Sequence, residues 1–376
     1  MSALAKAVTF LRPKSGMQKI GPIGVDFALE SLQLVQLESI AGESPIVYAR
    51  ATVPYDGPRH DVLDDPKRFA ETIRKGLASE DFYGRNAVMA VPTGLFRTLS
   101  INYQTSAEQD DAATILRIMQ HRLDGEISDF VLDYLPVRNR SKNDEKLALV
   151  AVSEREPIIS LLESARRSKL EVDALEIGPV AISRLVSTLS VASEQRNVLV
   201  INSGRQASYL TLMSGEDLLF DQQVSFGENE LIHQLAETLD MDEDMARDLV
   251  MRTGVQPSGS VEPGSIDDAG LVRTMSQIVK PQFMRLVDEI KRVCLYAAAE
   301  TRGGAVTQVY LLGSIARWQG SDGLLGSMID VEIAKIPDPL APFAKVSDAT
   351  IIRAPVSAPE IAVATGLALR GIHGYE

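Results

Sequence analysis

Two short stretches of this chain carry residue types that could hold a phosphate group. The first is Gly24-Val25-Asp26, followed by Phe27-Ala28-Leu29-Glu30-Ser31. The second is Val198-Leu199-Val200-Ile201, followed by Asn202-Ser203-Gly204 and then Arg205-Gln206. In each, an apolar run ends in a carboxylate or amide side chain, a small loop follows, and an alternating segment comes next (Leu32 to Leu37 and Ala207 to Met213). An apolar run bounded by turn residues reads as a buried strand entering a tight loop. Consecutive backbone N–H groups in such a loop can converge on an anion.

The surrounding segments must position these loops. After the second loop, the turn Ser214 to Asp217 leads into a strand over Leu218 to Val224, then Gly227 and a helix from Glu230 to Asp240. In the first half, a strand near Ile46 to Val53, a helix over Pro66 to Ala78 and a strand over Ala87 to Pro92 complete the unit. The pattern then changes. A strand over Phe96 to Tyr103, a helix starting at Ser106 to Gln109, and strands over Val131 to Leu135 and Leu147 to Val152 follow in turn, the last two separated by the polar turn Asn139 to Glu145. With a helix over Pro157 to Lys169 and a strand over Val172 to Glu176, this run reads as a small α/β module inserted into the first half. A helix from Pro179 to Ala192 returns to the main body. Beyond the helix Asp242 to Arg252, the stretch Gly254 to Gly270 has loop composition. A long helix from Val272 to about Ala299 is expected to break or kink at Pro281. Strands over Val309 to Ser314 and Val331 to Ile333 and a small-residue helix over 359–370 close the chain.

Composition narrows the classes. At 376 residues the chain is long for one core, so two to four subdomains are expected. A net charge of −13 opposes general nucleic-acid binding, which rests on neutralising phosphates. One cysteine, Cys294, leaves no disulfide framework, and the four histidines have no metal-ligand spacing. No apolar run approaches the roughly 20 residues that span a bilayer.

The order of segments resembles the PilM family of actin-like proteins from type IV pilus assembly, with FtsA more distant. The resemblance runs through Gly24 to Asp26, Leu132 to Tyr134, Ser225 to Leu231, Glu289 to Glu300, Tyr310 to Gly320, Asp338 to Phe343 and Ala362 to Gly371. It implies an α/β, actin-like, two-lobed fold with duplicated ribonuclease-H-like halves and an inserted module. The corresponding division is a basic arm at 1–19, a first lobe at 20–94 with 355–376, and the insert at 95–178. The second lobe is 179–229 with 301–354, and a smaller subdomain is 230–300. It further implies a cytoplasmic protein recruited to the inner membrane. The expected partner is the N-terminal cytoplasmic peptide of a PilN-like membrane protein, gripped between the insert and the first lobe. Phe96, Tyr103 and Tyr134 are the candidate peptide contacts.

The nucleotide loops depart from the family's pattern. The resemblance places Asp26, Ala28, Ser31, Asn202, Ser203, Gly204, Arg205, Gly227, Gly313 and Ser314 around the cleft. Ala28 stands where a glycine would let backbone amides approach phosphates. Glu30 adds a carboxylate where phosphates would lie, and Asn202 replaces an aspartate. Glu228 follows Gly227 in place of a second glycine, and Ser314 likewise follows Gly313. Arg247 and Val250 occupy the positions of a Glu and a Lys that meet ribose and adenine. These departures favour a scaffold with a degenerate cleft and no catalytic residues. The alternative is an ATP-binding, nucleotide-switched protein with slow or no hydrolysis. The cofactor is accordingly none, or weakly bound ATP with Mg; no residue set suits a metal by itself.

Other features read more plainly. Cys294 sits mid-helix and is expected to be an inert thiol. Trp318 could be an interface anchor or a core edge. The acidic stretch from Glu237 to Asp244 reads as a solvated helix face. The arm, with Lys6, Arg12, Lys14 and Lys19 and no acidic residue, could be a solvated terminus or a weak membrane-surface or partner contact.

Overall fold

A computed structural model of the chain describes residues 19–39, 44–104, 110–137, 145–189, 197–215, 217–256, 266–300, 304–344 and 361–372. Four expectations fall wholly or largely outside them: the basic arm, the helix start at Ser106 to Gln109, the polar turn after residue 138, and most of the Gly254–Gly270 loop.

The first sheet opens with an antiparallel meander of β1 (Lys19–Phe27), β2 (Ser31–Ser39) and β3 (Ile46–Pro54). Helices α1 (Arg59–Leu63) and α2 (Pro66–Ser79) follow. Proline at the first turn of α2 loses no hydrogen bond there, and the Asp65 side chain caps the helix by accepting from the Lys67 N–H at 2.8 Å. Phe69 and Ile73, one turn apart, bury α2 against the sheet. β4 (Asn86–Val91) runs parallel to β1.

The insert consists of β5 (Phe96–Gln104), α3 (Asp111–Gln120), β6 (Phe130–Val137) and β7 (Glu145–Glu154), its strands antiparallel in the order β5-β7-β6. Two further elements expected in the insert lie elsewhere. The helix α4 (Arg155–Arg167) buries Leu161 and Ala165 in the first lobe's core, and β8 (Glu171–Ile177) pairs in parallel with β4. The run of alternating elements hid this return, because pairing with β4 is non-local. The first sheet therefore has the order β3-β2-β1-β4-β8.

After α5 (Gly178–Leu189) the layout repeats. β9 (Asn197–Ser203), β10 (Ser208–Ser214) and β11 (Asp217–Val224) form a second antiparallel meander. Helices α6 (Glu228–Leu239), α7 (Glu243–Thr253) and α8 (Ile266–Glu300) pack beside it. β12 (Val306–Gly313) joins β9 in parallel, α9 (Ser321–Gly326) follows, and β13 (Glu332–Lys335) joins β12. The second order, β11-β10-β9-β12-β13, matches the first strand for strand. α8 continues through Pro281 as one helix of 35 residues. Pro281 and Gln277 both lie on its exposed face, so the carbonyl that loses its donor faces water.

α10 (Ile361–Leu369) and α5 lie between the sheets, in a core that takes Val35 and Leu37 from the first lobe and Val200 and Met213 from the second. The small residues of α10 permit backbone contact. A Cβ on Gly24 would lie 2.1 Å from the Ala364 carbonyl oxygen, and one on Gly366 would lie 2.0 Å from that of Ala181.

Candidate functional site

The β1–β2 and β9–β10 hairpins face each other across a cavity of about 90 Å³ between the lobes. Six of the sequence-derived cleft residues line it: Asp26, Ala28, Asn202, Ser203, Gly204 and Arg205. Four do not. Ser31 is buried, and its hydroxyl accepts from the Gln33 amide at 2.7 Å within β2. Gly227 precedes α6 against the backbone of Arg205 and Gln206. Gly313, at φ +86°, meets the Ser203 backbone closely, and the Ser314 N–H donates to the Ser203 carbonyl at 2.7 Å.

Several groups beside the two loops are engaged internally. In the second loop, the Glu228 N–H donates to Gly204 O at 3.1 Å and the Asn229 N–H to Arg205 O at 2.8 Å. The first amides of α6 thus hold the loop. The Ser203 hydroxyl donates to Leu312 O at 2.7 Å and accepts from the Ile315 N–H at 3.0 Å. In the first loop, Arg59 donates to Phe27 O at 3.3 Å and Tyr55 to Ala28 O at 3.1 Å.

An ion pair joins the two hairpins directly. Arg205 lies 2.8 Å from Glu30 across the cleft and, within its own lobe, 3.7 Å from Glu228. Glu228 is buried and also accepts from Arg247 at 2.6 Å and from the Trp318 indole N–H at 3.0 Å. Trp318 is fully buried, so its ring is a core element and is not available as an interface anchor. Arg247 belongs to this ion network, and Val250 is packed in the core.

Deeper in the cavity lie groups that local sequence did not single out: Arg59, Thr93, Tyr209, Thr211 and Asp221. Thr211 and Asp221 are register partners on the β10–β11 hairpin, and the Thr211 hydroxyl donates to the Asp221 carboxylate at 2.7 Å. Asp221 is half-buried and lines the cavity. Burial pushes its pKa from 3.8 to about 7, against the lowering effect of the Thr211 bond. Burial likewise raises the Tyr209 phenol. The hairpin register carried a signal for Asp221, because a carboxylate opposite a threonine shares its face.

The insert contacts the second lobe as well as the first. Thr98 of β5 donates to Asp221 O at 3.2 Å, and Ser100 to Leu219 O at 3.4 Å. Of the expected peptide contacts, Phe96 lines the cleft cavity and Tyr134 is half-buried beside the insert's core. Tyr103 is 5% exposed and belongs to that core, so it cannot offer its ring to a partner. Burial, then the neighbouring Asp111 carboxylate, raise its phenol to about 12. Cys294 is half-buried with its thiol pushed up by burial, which opposes thiolate chemistry. Among the described residues no helix is long and apolar enough to cross a membrane.

Solved structures with similar folds include one described as the PilM-PilN type IV pilus biogenesis complex (TM-score 0.72, 20% identity, covering 94% of this chain and 98% of that one). Another is the ethanolamine utilization protein EutJ from Carboxydothermus hydrogenoformans (TM-score 0.51, 14% identity, 97% and 94% covered). A third is MreB 5 of Spiroplasma citri bound to AMPPNP (TM-score 0.50, 11% identity, 88% and 94% covered). The fold is thus the actin-like one, with two mixed sheets. A search of curated proteins gave no match. Residues 24–372 match the family described as Type IV pilus assembly protein PilM, and the chain belongs to that family.

Proposed function

We propose that this PilM-family chain is a peptide-binding scaffold of a type IV pilus-type, or type II secretion-type, assembly platform, and that its cleft does not take nucleotide. The Glu30–Arg205 pair carries this reading, because it joins the two hairpins where phosphates would have to pass between them. Mg·ATP fits the residues poorly. The α6 amides and the Ser203 hydroxyl are engaged by the protein, Asn202 offers no charge to Mg²⁺, and Glu30 opposes an anion.

The partner proposed is the cytoplasmic N-terminal peptide of a PilN-like membrane protein, which would hold the chain at the cytoplasmic face of the inner membrane. Support comes from the similar structure described as a PilM-PilN complex and from the insert's surface. Among the described residues no strand pairs with the outer edge of β6, so an extended peptide could add there. Val131 on β6 and Ile159 and Leu162 on the adjoining α4 are exposed apolar side chains.

The test is calorimetric titration with ATP and Mg²⁺, beside titration with the N-terminal peptide of the membrane partner. No heat with ATP and saturable heat with the peptide, weakened by Val131→Asp, is expected. A micromolar dissociation constant for ATP would instead support a nucleotide-switched scaffold, in which ATP displaces Glu30 from Arg205.

A further inference from the structure

The cavity behind the Glu30–Arg205 pair has an excess acidic group. Its lining contains three carboxyl groups, Asp26, Glu30 and Asp221, and two guanidinium groups, Arg59 and Arg205. Glu30 takes Arg205. Arg59 directs its N–H groups to Phe27 O, the Thr93 hydroxyl and Thr93 O. Asp221 receives the Thr211 hydroxyl, and among the described residues no cation pairs with it. The same cavity is also lined by the apolar side chains of Phe27, Ala90, Pro179, Ile182 and Val363.

We propose that this cavity binds a small organic monocation, a short alkylammonium group, with its nitrogen against the Asp221 carboxylate and its apolar part on Phe27, Pro179 and Ile182. The inference rests on the reading of the cleft as closed to nucleotide. A hard metal ion is a poor match, since it needs six or more oxygen ligands that an apolar wall does not supply. An organic cation needs one or two placed polar groups and apolar area, which is what this lining offers.

The protonation state of Asp221 fits the same logic. With no cation beside it, burial makes a proton the substitute for the missing positive charge near neutral pH. An ammonium ligand would displace that proton. The other charged or titratable groups facing the cavity are Asp26 on β1, Glu30 on the first hairpin, Arg59 on α1, Arg205 on the second hairpin and Tyr209 on β10. Burial raises the Tyr209 phenol, which therefore stays protonated through this range.

Calorimetry of the full chain with n-propylammonium chloride, in two buffers of different ionisation heat, reads both affinity and proton exchange. The ammonium is expected to bind about tenfold more weakly at pH 6 than at pH 8, and to release about half a proton at pH 7. Asp221→Asn, which keeps the Thr211 hydrogen bond, should lose both effects while retaining a cooperative melting transition. Proton release from the native chain tests the idea without any variant. Equal affinity for the neutral isostere 1-propanol, unchanged binding by Asp221→Asn, or no heat at millimolar ligand would each overturn it. Mg·ATP titrated alongside keeps the two readings apart. ATP binding overturns the nucleotide-free scaffold, whereas absent ammonium binding with absent ATP binding overturns only the present inference.

Discussion

Glu30 and Arg205 lie 2.8 Å apart across the cleft, one on the hairpin after β1 and the other on the matching hairpin after β9. The two turns that a duplicated fold sets facing each other are here bonded to one another directly. Both side chains are partly exposed, at 24% for Glu30 and 42% for Arg205, so the pair's strength is limited by solvent. Arg205→Ala should therefore cost no more than about 1 kcal/mol of global stability. Its larger effect should be local, with faster amide hydrogen exchange at 27–31 and 203–207. Charge exchange, Glu30→Arg with Arg205→Glu, should restore part of the protection, provided the nearby Glu228 tolerates the swap.

Glu228 should behave differently, because it is buried and accepts from Arg247 and the Trp318 indole at once. Glu228→Ala strands both donors and should cost about 3–5 kcal/mol in denaturant unfolding. Trp318 is the chain's single tryptophan, so its emission reports on this site alone. A red shift before global unfolding is expected in the variant.

The contribution of Asp221 to stability should fall as pH rises from about 4 to about 7. The Asp221 pKa is raised in the folded state, so the native protein binds more protons than the unfolded chain in this window. The penalty is absent below the unfolded value of 3.8 and complete above about 7. Asp221→Asn should flatten this part of the profile, by a few kcal/mol at most, as measured by urea midpoints across the range.

Gly366→Ala should disrupt the helix pair between the sheets. The new methyl would meet the Ala181 carbonyl oxygen at 2.0 Å, and backbone has little room to yield. A loss of at least about 1–3 kcal/mol is expected, seen as a lower melting temperature.

The duplicated hairpins were readable because local signals coincide there: apolar strands, alternation, and small or polar turn residues at the ends. The proposed degeneracy of the cleft rests on single positions, Ala28, Glu30 and Asn202, which depart from the pattern that the resemblance implies. What Glu30 and Arg205 do with each other was not. One appeared as an obstacle to phosphate and the other only as a residue of the same cleft, and only their separation in space makes them a pair. β8 was misplaced because its partner β4 lies a whole insert earlier in the chain. Tyr103 looked available because an aromatic in an alternating strand carries no label for which face is covered.

β5 and β11 are edge strands of different sheets, joined by the Thr98 and Ser100 side chains bonding to the β11 backbone. The insert is thus tethered to both halves of the molecule, by chain connectivity to one and by these contacts to the other. A tension applied to a peptide held on the insert would be shared between the halves and would enter the second one at the β11 edge. The load path through such a coupler runs along its strand edges and passes the cleft wall at Asp221.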